Sequence, residues 1–164
     1  MKLWIKITIA IFCTLIIAAI IFAVLVNYWF THGETTIRYD KPMSYMDATN
    51  AGFDFPLPTS SHNVRFYYFA DWQAYEFAVR FEAPVEDCVK QIPIVLAWDD
   101  KTYNRTSSYP VINVTNVERQ GEGHVTWFDT DKITNGIYTG VDGSHTPQIW
   151  IDRDKGVFYF WETD

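Results

Sequence analysis

Residues Ile7 to Val26 read ITIAIFCTLIIAAIIFAVLV, a run of twenty without a charge. As a helix rising about 1.5 Å per residue, it covers about 30 Å, the thickness of a bilayer's hydrocarbon layer. The run is apolar on every side, so it is not the one-faced helix of a soluble core. Lys2 and Lys6 precede it, and Tyr28, Trp29 and Phe30 follow it. Cations before the span and an aromatic cluster after it fit a helix whose N-terminus is cytoplasmic. A cleaved signal would have a shorter apolar core and small residues at its exit. Here the exit is Val24-Leu25-Val26-Asn27-Tyr28-Trp29-Phe30, which is bulky. The expectation is a retained single-pass anchor over 1–30, a polar stalk over 31–50, and one domain over 51–164 outside the cell membrane. The lipid bilayer is then the partner of residues 7–26.

Charge narrows the remaining partners. Lys2 and Lys6 belong to the anchor, leaving 11 of the 13 basic residues against 20 acidic ones, a balance of −9. Such a domain repels phosphate backbones, which excludes nucleic acid as the expected partner. Of the 29 aromatic residues, 23 lie beyond residue 30. That supply supports a packed core rather than disorder. Cys13 falls in the apolar run and Cys88 is alone beyond it, so no disulfide can form within the domain. Cys88 itself reads as a small buried apolar residue.

Asn63 to Ala70 and Tyr75 to Glu82 alternate as half-buried strands. In the second, Tyr75, Phe77, Val79 and Phe81 share a face. The residues between can close an antiparallel hairpin. Pro84, Glu86 and Asp87 suit a helix start. Val85, Cys88, Val89, Ile92 and Leu96 follow at helical spacing, and Pro93 predicts an end or kink near Ile92. Asp99 to Pro110 reads as a polar loop. Val125 to Phe128 is a short apolar candidate strand. Gln148 to Asp152 and Val157 to Glu162 predict a hairpin, with Gly156 supplying a left-handed turn residue. The expected fold is α+β: an antiparallel sheet in β-β-α-β-β order with one packed helix.

Candidate chemistry is thin. Asp99-Asp100, Asp129-Thr130-Asp131 and Asp152-Arg153-Asp154 offer carboxylates, but none follows a calcium-loop pattern. Asp152 and Asp154 sit where short carboxylates bond turn backbone. His32, His62, His124 and His145 contain no i, i+4 pair, and there is no Cys-x-x-Cys. No Gly-x-Ser-x-Gly elbow is present. No catalytic, cofactor-binding or metal-binding residue is therefore assigned, and no cofactor is expected. Asn104-Arg105-Thr106 and Asn113-Val114-Thr115 are glycosylation sequons. The tryptophans outside the anchor suit core packing, with Trp72 in a predicted turn as the candidate for stacking on a sugar.

Three stretches carry a resemblance: Phe55-Pro56-Leu57-Pro58 leading to Ser61, Asn63 and Val64; Arg80-Phe81-Glu82-Ala83-Pro84; and Ile149-Trp150-Ile151-Asp152 with Gly156-Val157-Phe158-Tyr159. Over most of 51–164 the chain resembles uncharacterised small bacterial single-pass membrane-anchored proteins. The resemblance implies a bacterial cell membrane and an extracytoplasmic α+β domain, and no site. The expected role is non-catalytic binding or scaffolding at the outer face, with a protein partner in the envelope. The alternative is a metal- or carboxylate-dependent hydrolase using Asp129, Asp131, His124 or His145.

Overall fold

The structure, a computed structural model, describes residues 3–33, 35–71, 74–103, 109–115, 117, 125–140 and 146–163. The chain divides into two compact units, Met1–Glu34 and Thr35–Asp164. The first is helix α1, Leu3–His32. Its stretch Ile7–Tyr28, 22 residues, is long and apolar enough to cross a membrane, and none of it is buried within the protein.

The second unit is an antiparallel sheet with helices. Its strands are β1 (Thr35–Met43), β2 (His62–Ala70), β3 (Tyr75–Glu82), β4 (Val111–Val114), β5 (Gly136–Thr139), β6 (Gln148–Asp152) and β7 (Val157–Thr163). They form one seven-stranded sheet in the order β1-β2-β3-β7-β6-β5-β4. Helix α2 is Tyr45–Asn50 and helix α3 is Val85–Tyr103. The α+β class is as expected, with three further strands and a second helix.

The stalk expectation for 31–50 is corrected. Thr35–Met43 is an edge strand, in register from Thr35 opposite Ala70 to Tyr39 opposite Phe66. Its sequence is polar because every residue but Met43 is exposed, so alternation gives no sign of it. Ser44 then caps α2 reciprocally: its hydroxyl accepts from the Asp47 N–H, and the Asp47 carboxylate accepts from the Ser44 N–H. The folded unit thus begins at Thr35, not near Ala51.

Phe77, Val79 and Phe81 of β3 share a core with Val64 of β2, Ile149 and Ile151 of β6, and Phe158 and Phe160 of β7. Cys88, Ile92 and Val95 of α3 cover it. Of the expected helix stripe, Cys88 and Ile92 are buried and Leu96 packs against the core, while Val89 is exposed and Val95 is buried instead. The helix also runs past Pro93 to Tyr103. Pro93 removes the hydrogen bond to the Val89 carbonyl, and both residues are exposed, so the lost bond falls on the solvent side of the helix. The extended stretch around Phe55-Pro56 lies across the same core. Phe55 is buried against Phe77, Trp98 and Phe160, and the Pro56 carbonyl accepts from Gln91 Nε2 at 2.5 Å.

The opposite sheet face carries a second core. Tyr67, Ala78, Trp150, Val157 and Tyr159 pack there against Val125, Trp127, Phe128 and Ile133. Residues 125–128 are a buried turn and not the expected strand: the Phe128 N–H bonds the Val125 carbonyl at 3.3 Å. Trp127 Nε1 donates to Asp40 Oδ1 at 2.9 Å, which ties this cover to β1.

Candidate functional site

The Asp152–Asp154 pair serves local structure. Asp152 Oδ1 accepts from the N–H groups of Asp154 and Lys155 at 3.0 and 3.1 Å, which builds the β6–β7 turn. Gly156 closes that turn with φ +65. Asp154 instead accepts from Asn135 Nδ2 at 2.8 Å. Asp99 is buried on α3, with Asp100 half-buried beside it. Among the described residues, no three of His, Cys, Asp and Glu gather where one metal ion could be held.

Asp129 and Asp131, neighbours in sequence, part company. Asp131 is exposed. Asp129 opens the 3-10 turn Thr130–Lys132 and points at the sheet, where Tyr159 donates its hydroxyl to Oδ1 at 2.7 Å. Lys132 Nζ lies 3.0 Å from the other oxygen. Arg80, with its guanidinium 5.8 Å from the Tyr159 ring centre, completes the group and pairs with Glu82 at 2.8 Å. Glu82 also accepts from Asn63 Nδ2 at 2.7 Å. Burial pushes the Asp129 carboxyl up, but the Tyr159 hydroxyl and Lys132 outweigh it and hold it below the usual range. Glu82 is held low in the same way by Asn63 and Arg80 against burial. Burial, then the bond to Asp129, raises the Tyr159 phenol. A carboxylate satisfied by a hydroxyl and two cations is a poor general base. His124, His145 and Trp72 lie outside the described residues. His62 is exposed and sits 3.6 Å from Glu82.

Cys88 is a core residue. Its Sγ lies 3.7 Å from the Ala83 carbonyl oxygen and 3.8 Å from that of Gly156. Burial pushes its thiol up to about 12, which leaves no thiolate for nucleophilic work at neutral pH.

Hollows lie on both faces of the sheet. On the α3 face a cavity of about 180 Å³ is lined by Asp54, Phe55, Phe66, Tyr68, Phe77, Trp98 and Thr102. On the opposite face a larger one, about 420 Å³, is lined by Thr36, Tyr67, Phe69, Ala74, Tyr75, Glu76 and Thr163. The larger hollow lies over a single cross-strand row. Thr36 of β1 faces Phe69 of β2, Phe69 faces Glu76 of β3, and Glu76 faces Thr163 of β7. Residues directly opposite across antiparallel strands project to one side, so four strands present these side chains together. Trp161 Nε1 donates to Glu76 Oε1 at 3.1 Å and orients that carboxylate. Sequence reasoning missed this row. Glu76 and Phe69 were legible as strand residues, but their adjacency to Thr36 and Thr163 depends on pairing between distant segments.

No protein family, curated protein or solved structure matches the chain.

Proposed function

We propose that the chain is a membrane-anchored binding protein, with its N-terminus in the cytoplasm and the sheet unit at the outer face of a bacterial cell membrane. The larger hollow is its ligand seat. The observation that carries this reading is the volume of that hollow together with its lining: about 420 Å³, within the range of small-ligand sites, faced among the described residues by rings, hydroxyls and the Glu76 carboxylate. Binding is favoured over hydrolysis because the best-placed acid of the hydrolase alternative, Asp129, is already bonded by Tyr159 and Lys132. The apolar span, with Lys2 and Lys6 before it, supports the anchor and its direction. The resemblance to small bacterial anchored proteins points the same way.

A photo-reactive side chain tests this reading in the intact protein in native membranes. Placed at Thr36, on the rim, it captures an external molecule; placed at the exposed Asp131, it does not. Equal capture at both positions, or none at Thr36, refutes the seat. A reporter fused after Asp164 is active only outside the cytoplasm, and activity inside refutes the orientation.

A further inference from the structure

The larger hollow combines three kinds of group in one row. Phe69 offers an aromatic ring, Glu76 a carboxylate, and Thr36 and Thr163 hydroxyls on either side. Resting on the reading of this hollow as the ligand seat, we infer that its ligand is a neutral saccharide, with one sugar ring seated over Phe69 and two ring hydroxyls donated to Glu76.

The chemistry selects this class by elimination. A hydrocarbon would strip water from Glu76 and leave the carboxylate with the Trp161 bond but without those it made to solvent, which costs more than the rings return. An anion would meet Glu76 with no cation among the described lining residues, on a domain already acidic. A sugar ring satisfies every wall. Its C–H face is apolar and covers an aromatic ring, its hydroxyls donate to a carboxylate in short charge-assisted bonds, and they also donate to the threonine hydroxyls, the proton of Thr163 being held by the Tyr75 carbonyl at 3.1 Å. The Trp161 bond holds Glu76 in place before the ligand arrives, so less freedom is lost on binding. At about 30 Å³ per water molecule the hollow has room for about fourteen, enough for one ring and part of its neighbour.

The test is saturation-transfer NMR on the full chain in lipid nanodiscs, which avoids sugar-headed detergents. The probes are methyl β-glucoside, N-acetylglucosamine and glucuronate. The expected result is transfer to the ring C–H protons of the two neutral sugars and little to glucuronate. Glu76→Gln and Phe69→Ala should each weaken binding by about tenfold, since a charge-assisted bond or the stacking surface is lost. Asp54→Asn, on the opposite face, should leave it unchanged. Thermal melts accompany each variant; if Phe69→Ala unfolds, Glu76→Gln and the exposed Thr36→Val decide. No transfer to either neutral sugar at millimolar concentration overturns the inference, as does transfer that survives Glu76→Gln undiminished, or glucuronate binding as well as the glucoside. Capture by a photo-reactive group at Thr36 with no sugar binding would remove the saccharide and leave the binding role standing.

Discussion

Phe77→Ala tests the packing that holds this domain together. Phe77 is 7% exposed and sits among five rings: Phe66 at 5.0 Å, Phe160 at 5.5 Å, Phe55 and Trp98 at 5.9 Å, and Tyr68 at 6.3 Å between centres. Losing the buried ring forfeits about 1.5–3 kcal/mol of transfer free energy. The vacated space, roughly 90 Å³, adds about 2 kcal/mol at about 24 cal/mol per Å³. Collapse is resisted because Phe55, Trp98 and Phe160 also contact one another. The expected loss is therefore about 4 kcal/mol, inside the usual ~3–5 kcal/mol for a buried phenylalanine. Urea unfolding of the full chain in nanodiscs, followed by tryptophan fluorescence, gives the number from the shift in midpoint at constant slope. A loss below about 1 kcal/mol would mean that the ring is not in the core and that the β3 register is wrong.

Three further outcomes are expected. Gly156→Ala destabilises by about 1–3 kcal/mol, because φ is +65 and the new Cβ meets the Ala83 carbonyl oxygen; an unchanged melting temperature would show that the turn relaxes freely. Asp129 and Glu82 have folded pKa values below their ordinary 3.8 and 4.5, so their stabilisation is full above about pH 5 and is lost as pH falls through the folded values. Asp129→Asn should accordingly flatten the acid limb of the stability curve between about pH 5 and pH 2, and an unaltered limb would remove the Tyr159–Asp129 bond from the account. Cys88 in the folded protein should resist iodoacetamide at pH 8 and react once urea unfolds the domain, whereas rapid native labelling would contradict its burial.

Some of this protein is written locally. Helix α1 follows from a charge-free run of bilayer length. The β2–β3 and β6–β7 hairpins follow from period-two alternation and, in the second, from Asp152 and Gly156 at the turn. These features depend on residues within a few positions of each other, so propensity and turn chemistry suffice to read them. Other features have no local trace. Strand β1 looks like a linker, since an exposed edge strand needs no apolar face; only its register against β2 makes it a strand. Helix α3 survives Pro93 because the lost hydrogen bond falls on its wet side, and tertiary contacts chose that side. Val125–Phe128 has strand composition yet is a turn, because its side chains are needed as a cover over Tyr159 and Trp150. The candidate site is the extreme case. Thr36, Phe69, Glu76 and Thr163 come from four strands spread over the length of the folded unit, and sheet pairing alone sets them side by side. Sequence determined which segments are apolar, alternating or turning; long-range pairing decided which polar groups face a common hollow, because adjacency across strands is set by register and not by distance along the chain.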